Sequence, residues 1–549
     1  MKRIWKMPKM FILMLALTLA VIGCSANETE SPNSNQAEGN TQNDGNSGET
    51  SGSIANGDVT LSVGTNDNYY TPKSLTSGLP VWQEIEKKTG VKIDWDVVPA
   101  SQYAQTMKVR VAAAQDLPDI LNAPEGDPIK LADQGILIPL DELIEAHAPN
   151  ITRFFEDYPE LKSLMTAPDG HIYAISSVTS GAAKTDPYAL ILNRRWLDAL
   201  GLEEPTTLDE WHRVFKAFKE QDPNGNGQAD EIPFSPRYAT RDLGLFGSAL
   251  GLHMFYSSGY APNAQGEMEF QWMKDEAKEL IEWSHQLYEE GLIDPEFASF
   301  NEEQFNSKFS RDMIGATSGF LANTANFATL QADNGIASPD WMITVPPTGE
   351  ASEPFYEEYG PLSGWFGITS SADNPEAAIK WLDYVYASEE GSRYMAFGIE
   401  GQSYEMVDGK PQFTEWTMNN PDGLDFTAAL RSLGAFPTVP WIRATEGYLS
   451  DQPAAIMAYK PDLKAQAEHV ESYLIPATPL GLPSVEENER LTTLQTDINT
   501  YLQENLVQFV MGSKPIDWDK FRSDLNGLGI EEVVAIKQAQ YDRFQEALQ

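Results

Sequence analysis

Cysteine occurs once in the 549 residues, at Cys24. That excludes an intrachain disulfide framework and any Cys-rich zinc site. Histidine is scarce as well, and six residues leave little material for multi-His metal chemistry. Basic side chains are outnumbered, 38 against 81 acidic, for a formal net charge of −43. A field of that sign repels phosphate backbones and anionic lipid, which argues against nucleic-acid binding and polybasic membrane contact. The apolar run from Met10 to Ile22 is too short to span a bilayer. A Gly-x-Ser-x-Gly elbow, a phosphate-binding P-loop and a His-Glu-x-x-His pair are all missing. The many acidic residues make a glycosidase-like carboxylate pair statistically available, but availability assigns no chemistry, and the chain reads as a non-enzyme. At this length it buries large cores without staples.

The amino terminus reads as an address. Lys2, Arg3, Lys6 and Lys9 precede the apolar run, so residues 1–23 form a signal peptide. Val21-Ile22-Gly23-Cys24 resembles a bacterial lipobox, which implies that Cys24 carries diacylglycerol and becomes the first mature residue. Palmitate on the same cysteine belongs to that reading. Two acyl chains anchor stably where one does so only marginally. The alternative is a plain signal peptide with an incidental cysteine. Residues 24–57 are rich in Ser, Asn, Gly, Glu, Thr and Gln and lack Lys and Arg. They cannot bury enough surface to offset their ordering entropy, and are expected to form a disordered linker reaching on the order of 30 Å.

The body reads as α/β. Val59–Val63 alternates apolar and polar positions, a helix around Trp82–Glu86 ends at Gly90, and Val91–Val98 is a second strand. A helix over Ser101–Gln115 then leads to Leu117–Asn122. Strand–helix–strand–helix–strand predicts a parallel sheet whose ligands bind beyond the carboxyl ends of the strands. The loops Asn66–Tyr70 and Asn122–Glu125 occupy that position.

Four ordered segments carry a family resemblance: Gly135–Ile144, Asp169–Ile175, Leu190–Leu197, and Asn374–Tyr386 followed by Ser388–Gly391. Together they resemble an extracellular solute-binding protein of an ABC-type sugar importer. The resemblance implies a two-lobed, periplasmic-binding-protein-like fold with discontinuous lobes closing on a central ligand cleft. It puts residues 59–187 plus 315–369 in the N-terminal lobe and 188–314 plus 370–549 in the C-terminal lobe. It also implies a monomer that delivers an oligosaccharide to ABC permease subunits, held by a lipid anchor at the extracellular face of the cytoplasmic membrane. Ser25 fits a single-membrane bacterium on the same grounds. Presentation of a ligand to a membrane sensor, and capture of a peptide or another polar solute, stay open.

The sharpest local motif follows the helix Leu208–Gln221, which opens on a capping box of Thr207 and Glu210. Asp222, Asn224, Asn226 and Asp230 stand at positions 1, 3, 5 and 9 of an EF-hand-like loop, with Gly227 at 6. The Gln228 carbonyl completes the early part of the set. Pro233 stands where the bidentate carboxylate belongs, so Glu231 must substitute. Calcium-dependent members of the resembled group have a similar loop ending in Asp-Glu, and the ion would be structural Ca2+. The alternative is an Asn/Gly-rich turn without metal.

Tyrosine and tryptophan supply a broad apolar face with a polar tip, which suits the C–H faces and hydroxyls of sugar rings. Trp82, Trp211, Trp283 and Trp381 lie among periodic apolar neighbours and read as core. Loop aromatics are the binding candidates: Tyr69, Tyr70, Tyr256, Tyr260, Trp365 and Trp441, each with loop packing as the alternative. Asn66, Asp67, Asn122 and Glu125 are candidate polar partners. Arg431 could pair a sugar acid or form a surface ion pair.

Overall fold

A computed structural model describes residues 54, 59–67, 73–179, 184, 186–350, 353–442, 455 and 461–549. Nine strands build two mixed sheets: β1 Val59–Asn66, β2 Val91–Val98, β3 Ile120–Asn122, β4 Ile175–Val178, β5 Tyr188–Asn193, β6 Ile232–Phe234, β7 Ile314–Phe320, β8 Trp341–Ile343 and β9 Leu362–Ile368. The first sheet has the order β2-β1-β3-β9-β4 and the second β8-β5-β7-β6. In the first, β1 runs parallel to β2 and β3, while β9 is antiparallel to β3 and β4. In the second, β6 and β7 are parallel, and β5 is antiparallel to β7 and β8.

The opening β–α–β–α–β unit forms as its periodicity predicts, with helices Pro80–Thr89 and Ala100–Ala113 between the strands. Gly90 stops the first helix in the left-handed region at φ 72°, and its N–H donates to the Glu86 carbonyl. Gly64, next to the carboxyl end of β1, must be glycine for a second reason: a Cβ there would sit 2.5 Å from the Pro118 ring.

Each sheet carries its own core. Trp381 and Tyr386 are fully buried in the first, Trp196 and Trp211 in the second. Trp82 joins the first core and Trp283 packs against the second. Removing a side chain of this size costs about 3–5 kcal/mol.

Two segments sit elsewhere than their expected lobes. Residues 315–343, assigned above to the first lobe, supply β7 and β8 to the second sheet. The helices Pro375–Ala387, Glu389–Phe397 and Phe426–Leu433, assigned to the second lobe, bury their apolar faces in the first core. The chain therefore passes between cores between Val178 and Tyr188, between Tyr356 and Leu362, and between Ala455 and Leu463. The last helix, Ile530–Ala547, buries Val533 in the second core and Phe544 in the first. Among the described residues no helix is long and apolar enough to cross a membrane. Cys24 and the linker lie outside the described residues.

Candidate functional site

The carboxyl edge of the first sheet is built by short polar ties. The Asn122 carboxamide at the end of β3 donates to the Asn66 side-chain oxygen, at the end of β1, at 3.3 Å. The Tyr103 hydroxyl donates to the Asn122 carbonyl at 2.6 Å. Thr438 returns from far along the chain to donate to the Asn66 carbonyl at 2.8 Å, and Thr65 donates to the Thr438 carbonyl at 2.9 Å. Residues 373 apart in sequence thus share one edge.

Trp365 lies on the same edge. The register of β9 against β4 shifts between Ser363 and Trp365, and the extra residue is Gly364 at φ 71°. A glycine in that region is the standard solution for a bulge that re-aims the next side chain. The Trp365 carbonyl accepts from the Ala123 N–H at 2.7 Å, and the half-buried indole lies beside Gly126. Phe436, at φ 52°, is held next to this edge by the Arg431 Nε–H, which donates to its carbonyl at 3.1 Å.

Other candidates are spent locally. Asp67 accepts from the Leu75 N–H at 3.0 Å and so caps a turn. Arg431 is occupied by the Phe436 carbonyl and lies 5.7 Å from that ring. Trp441 is 6% exposed, packs edge-on against Phe436 and reads as core. Glu125 is placed by its backbone, in the one-turn helix Pro124–Gly126. Tyr69 and Tyr70 lie outside the described residues. A surface hollow lined by Val59, Gln83 and Lys92 opens at the opposite, amino edge of β1 and β2.

The second sheet presents an aromatic array at the carboxyl ends of β6 and β7. Tyr188 stacks on Phe255 at 4.5 Å between ring centres and meets Phe320 edge-on at 5.1 Å. Tyr256 contacts Phe255, Tyr188 and Tyr359, the last in the segment that crosses between cores. Burial drives the Tyr256 phenol well above its ordinary value, so it stays a neutral donor. Tyr260 is buried instead in the hairpin formed with Met268–Phe270, 4.6 Å from Phe270.

Asp242 and Glu357 lock this array. Asp242 is fully buried and accepts from the Tyr188 hydroxyl, the Ser318 hydroxyl and the Tyr238 N–H. Burial pushes its carboxyl above the ordinary range despite those bonds. Glu357, in the crossing segment, accepts from the N–H groups of Phe255 and Tyr256, both at 2.9 Å, and from the Ser257 hydroxyl. Burial raises its carboxyl, but the bonds from His253 and Ser257 outweigh that and hold it below the usual value. Tyr188, Tyr238, Arg241 and Tyr359 escaped the sequence reading. The loop Arg237–Asp242 follows β6, so the rule that selected Asn66 and Asn122 would have found part of it.

The loop after helix Leu208–Glu220 folds its oxygens inward. Asp222 accepts from the N–H groups of Asn226 and Gly227, Asn224 from Asn226, and Asn226 from Gln228. The Asn226 carboxamide donates to Asp230 at 3.0 Å. One Glu231 carboxylate oxygen is buried without a hydrogen-bond partner. Burial, then Asp230 and Asp222, raise its carboxyl. The Asp222, Asp230 and Glu231 carboxylates thus belong to one short loop and sense one another, and one of the Glu231 oxygens has no hydrogen-bond partner. Among the described residues no cluster of three or more His, Cys, Asp or Glu is poised to hold a metal, so a cation here would depend on amide and carbonyl oxygens as well. The capping pair is offset by one residue: Thr207 caps the Glu210 N–H, while Glu210 accepts from Thr206.

Residues 73–391 match the family model of the bacterial extracellular solute-binding proteins. The chain is 26% identical over 516 residues to the fructooligosaccharide ABC transporter substrate-binding protein FusA of Streptococcus pneumoniae, covering 88% of this chain and 90% of FusA. It is 26% identical over 424 residues to lipoprotein LipO of Bacillus subtilis, covering 73% and 77%. The structure of FusA with kestose superposes with a TM-score of 0.73 at 26% identity, covering 89% of this chain and 99% of that one. A FusA EF-hand mutant with fructo-nystose gives 0.72 at 25% identity, with the same coverage.

Proposed function

The chain belongs to the bacterial extracellular solute-binding protein family, and from that premise we propose that it is the capture subunit of an ABC importer for an oligosaccharide. The observation that carries this reading is the pairing of two strand-edge faces, each with aromatic rings beside polar groups, on sheets linked by crossing segments. Asn66, Asn122 and Trp365 form one face, and Tyr188, Tyr238 and Tyr256 the other. The similarity to FusA supports a carbohydrate ligand. We assign the lobes as 59–178 plus 362–442 and 188–343 plus 463–533, with the final helix bracing both.

A ligand touching both faces selects the closed form by its differential affinity. The closed form then docks on permease subunits. The protein binds and does not cleave, and it works as a monomer. Thermal-shift screening of the mature chain against oligosaccharides, followed by analysis of the recovered sugars, tests this. An uncut, stabilising oligosaccharide is expected. No stabilisation by any saccharide, or cleavage of the bound one, would sink the reading. Deletion that leaves uptake intact would favour a sensor role instead.

Two finer features belong to the same proposal. Cys24 is the lipid attachment site, supported by its leader and by the lipoprotein relative. Asp222, Asn224, Asn226, the Gln228 carbonyl, Asp230 and Glu231 hold one structural Ca2+, supported by the partnerless Glu231 oxygen and by the EF-hand noted for FusA. When bound, the ion would neutralise the loop's carboxylates and tie the loop together.

A further inference from the structure

The chain has more than two acidic residues for each basic one, so an arginine without a carboxylate partner stands out. Arg241 is such a residue. It is exposed at the carboxyl edge of β6 and β7, and its guanidinium lies 4.2 Å from the centre of the Phe255 ring. Tyr238 and Tyr256 flank it, both at 5.7 Å. Among the described residues its side chain makes no salt bridge and donates no hydrogen bond, while its backbone N–H donates to the Tyr238 carbonyl at 3.2 Å. Its neighbour Arg237, by contrast, pairs with Glu302 at 2.8 Å.

The nearest acid in sequence is turned away from it. Asp242 points inward and is occupied by Tyr188, Ser318 and the Tyr238 N–H. The backbone is strained to achieve this: Ala239 has φ 51° and ψ −131°, outside the regions a β-carbon favours. Strain of this kind persists only where surrounding bonds over-determine it, and it concentrates at functional sites. Here the buried Asp242 is the anchor, and its effect is to hold Tyr238 and Arg241 outward, beside Tyr256.

A guanidinium held over a ring with no hydrogen-bond acceptor of its own keeps its N–H fork available, and that fork pairs bidentately with a carboxylate. We infer that Arg241, stacked on Phe255 between Tyr238 and Tyr256, recognises a carboxylate of the bound sugar, so that the ligand is an acidic, uronate-bearing oligosaccharide. The inference rests on the oligosaccharide reading and adds the charge class. It also divides the work: Trp365 and the carboxamides of the first face meet neutral sugar surfaces, and the second face reads the acid.

Calorimetric titration of the mature chain with oligogalacturonate and oligomannuronate, each against its carboxyl-reduced neutral counterpart of equal length, tests it. At least one acidic oligosaccharide is expected to bind at least tenfold tighter than its reduced form, with the preference shrinking as salt rises. Arg241→Met is expected to abolish the preference, and Arg241→Lys, which keeps the charge but not the fork, to retain part of it. The exposed guanidinium carries no hydrogen bond or salt bridge of the fold, and Met and Lys both keep a long aliphatic stem over Phe255, so the melting transition of either variant should stay close to that of the parent. Equal binding of acidic and reduced forms, or an unchanged preference in Arg241→Met, overturns the inference and leaves the oligosaccharide reading standing. Failure of both acidic probes to bind while neutral oligosaccharides do has the same meaning. Failure of every acidic and neutral saccharide overturns both.

Discussion

Trp365 and Glu357 differ in role although they stand only eight positions apart in sequence. Trp365 is aimed by the Gly364 bulge toward the edge shared by Asn66 and Asn122. Tryptophans in such positions dominate binding energies, so Trp365→Ala should weaken ligand binding by about 2 kcal/mol or more, read by calorimetry. Retained affinity would remove the indole from the site. Glu357 works inside the fold. Its carboxyl is held below its ordinary value of 4.5, so its contribution is present above that value and is lost as pH falls through the lower folded value. Glu357→Gln should cost about 2–3 kcal/mol at neutral pH, because charged hydrogen bonds are lost in a buried place. The variant's melting temperature should also fall less steeply on acidification over that window. A parallel acid limb in both proteins would contradict this.

The loop 222–231 is an element whose turn geometry was legible from spacing. Ligand positions two residues apart are a local property, and the fold reproduces the inward oxygens. Calcium should raise the melting temperature of the parent, EDTA should reverse it, and Asp222→Ala should be insensitive to both, since it removes the first carboxylate of the proposed ligand set. Equal responses of parent and variant would place any ion elsewhere. The helix cap was legible to within one residue, because Thr206 and Thr207 offer the same groups and only the final rotamer chooses between them. The four-residue helix Thr240–Leu243 was not legible. Which of Arg241 and Asp242 faces inward depends on Tyr188 and Ser318, far away in the chain.

For the molecule as a whole, the proposed capture of one ligand by faces on two separate sheets predicts closure. Small-angle scattering should show a smaller radius of gyration with saturating ligand, and binding at unchanged radius would exclude a hinge mechanism. A tie already joins the two cores: Asn488, on the helix Val485–Val510, donates to the Asp127 carboxylate at 2.9 and 3.0 Å, one residue from Gly126 and the Trp365 indole. By itself, the sequence determined the opening β–α–β–α–β unit and the spacing of the 222–231 loop. Each follows from composition or from a period of a few residues, and local sterics and solvation decide such features. Only the tertiary structure decided that 314–343 joins the second sheet, that 375–433 covers the first core, and that Thr438 reaches Asn66. Apolar strands and helices advertise that they will be buried, but not against what, because burial is non-directional and the choice of partner is settled by the packing of the whole chain.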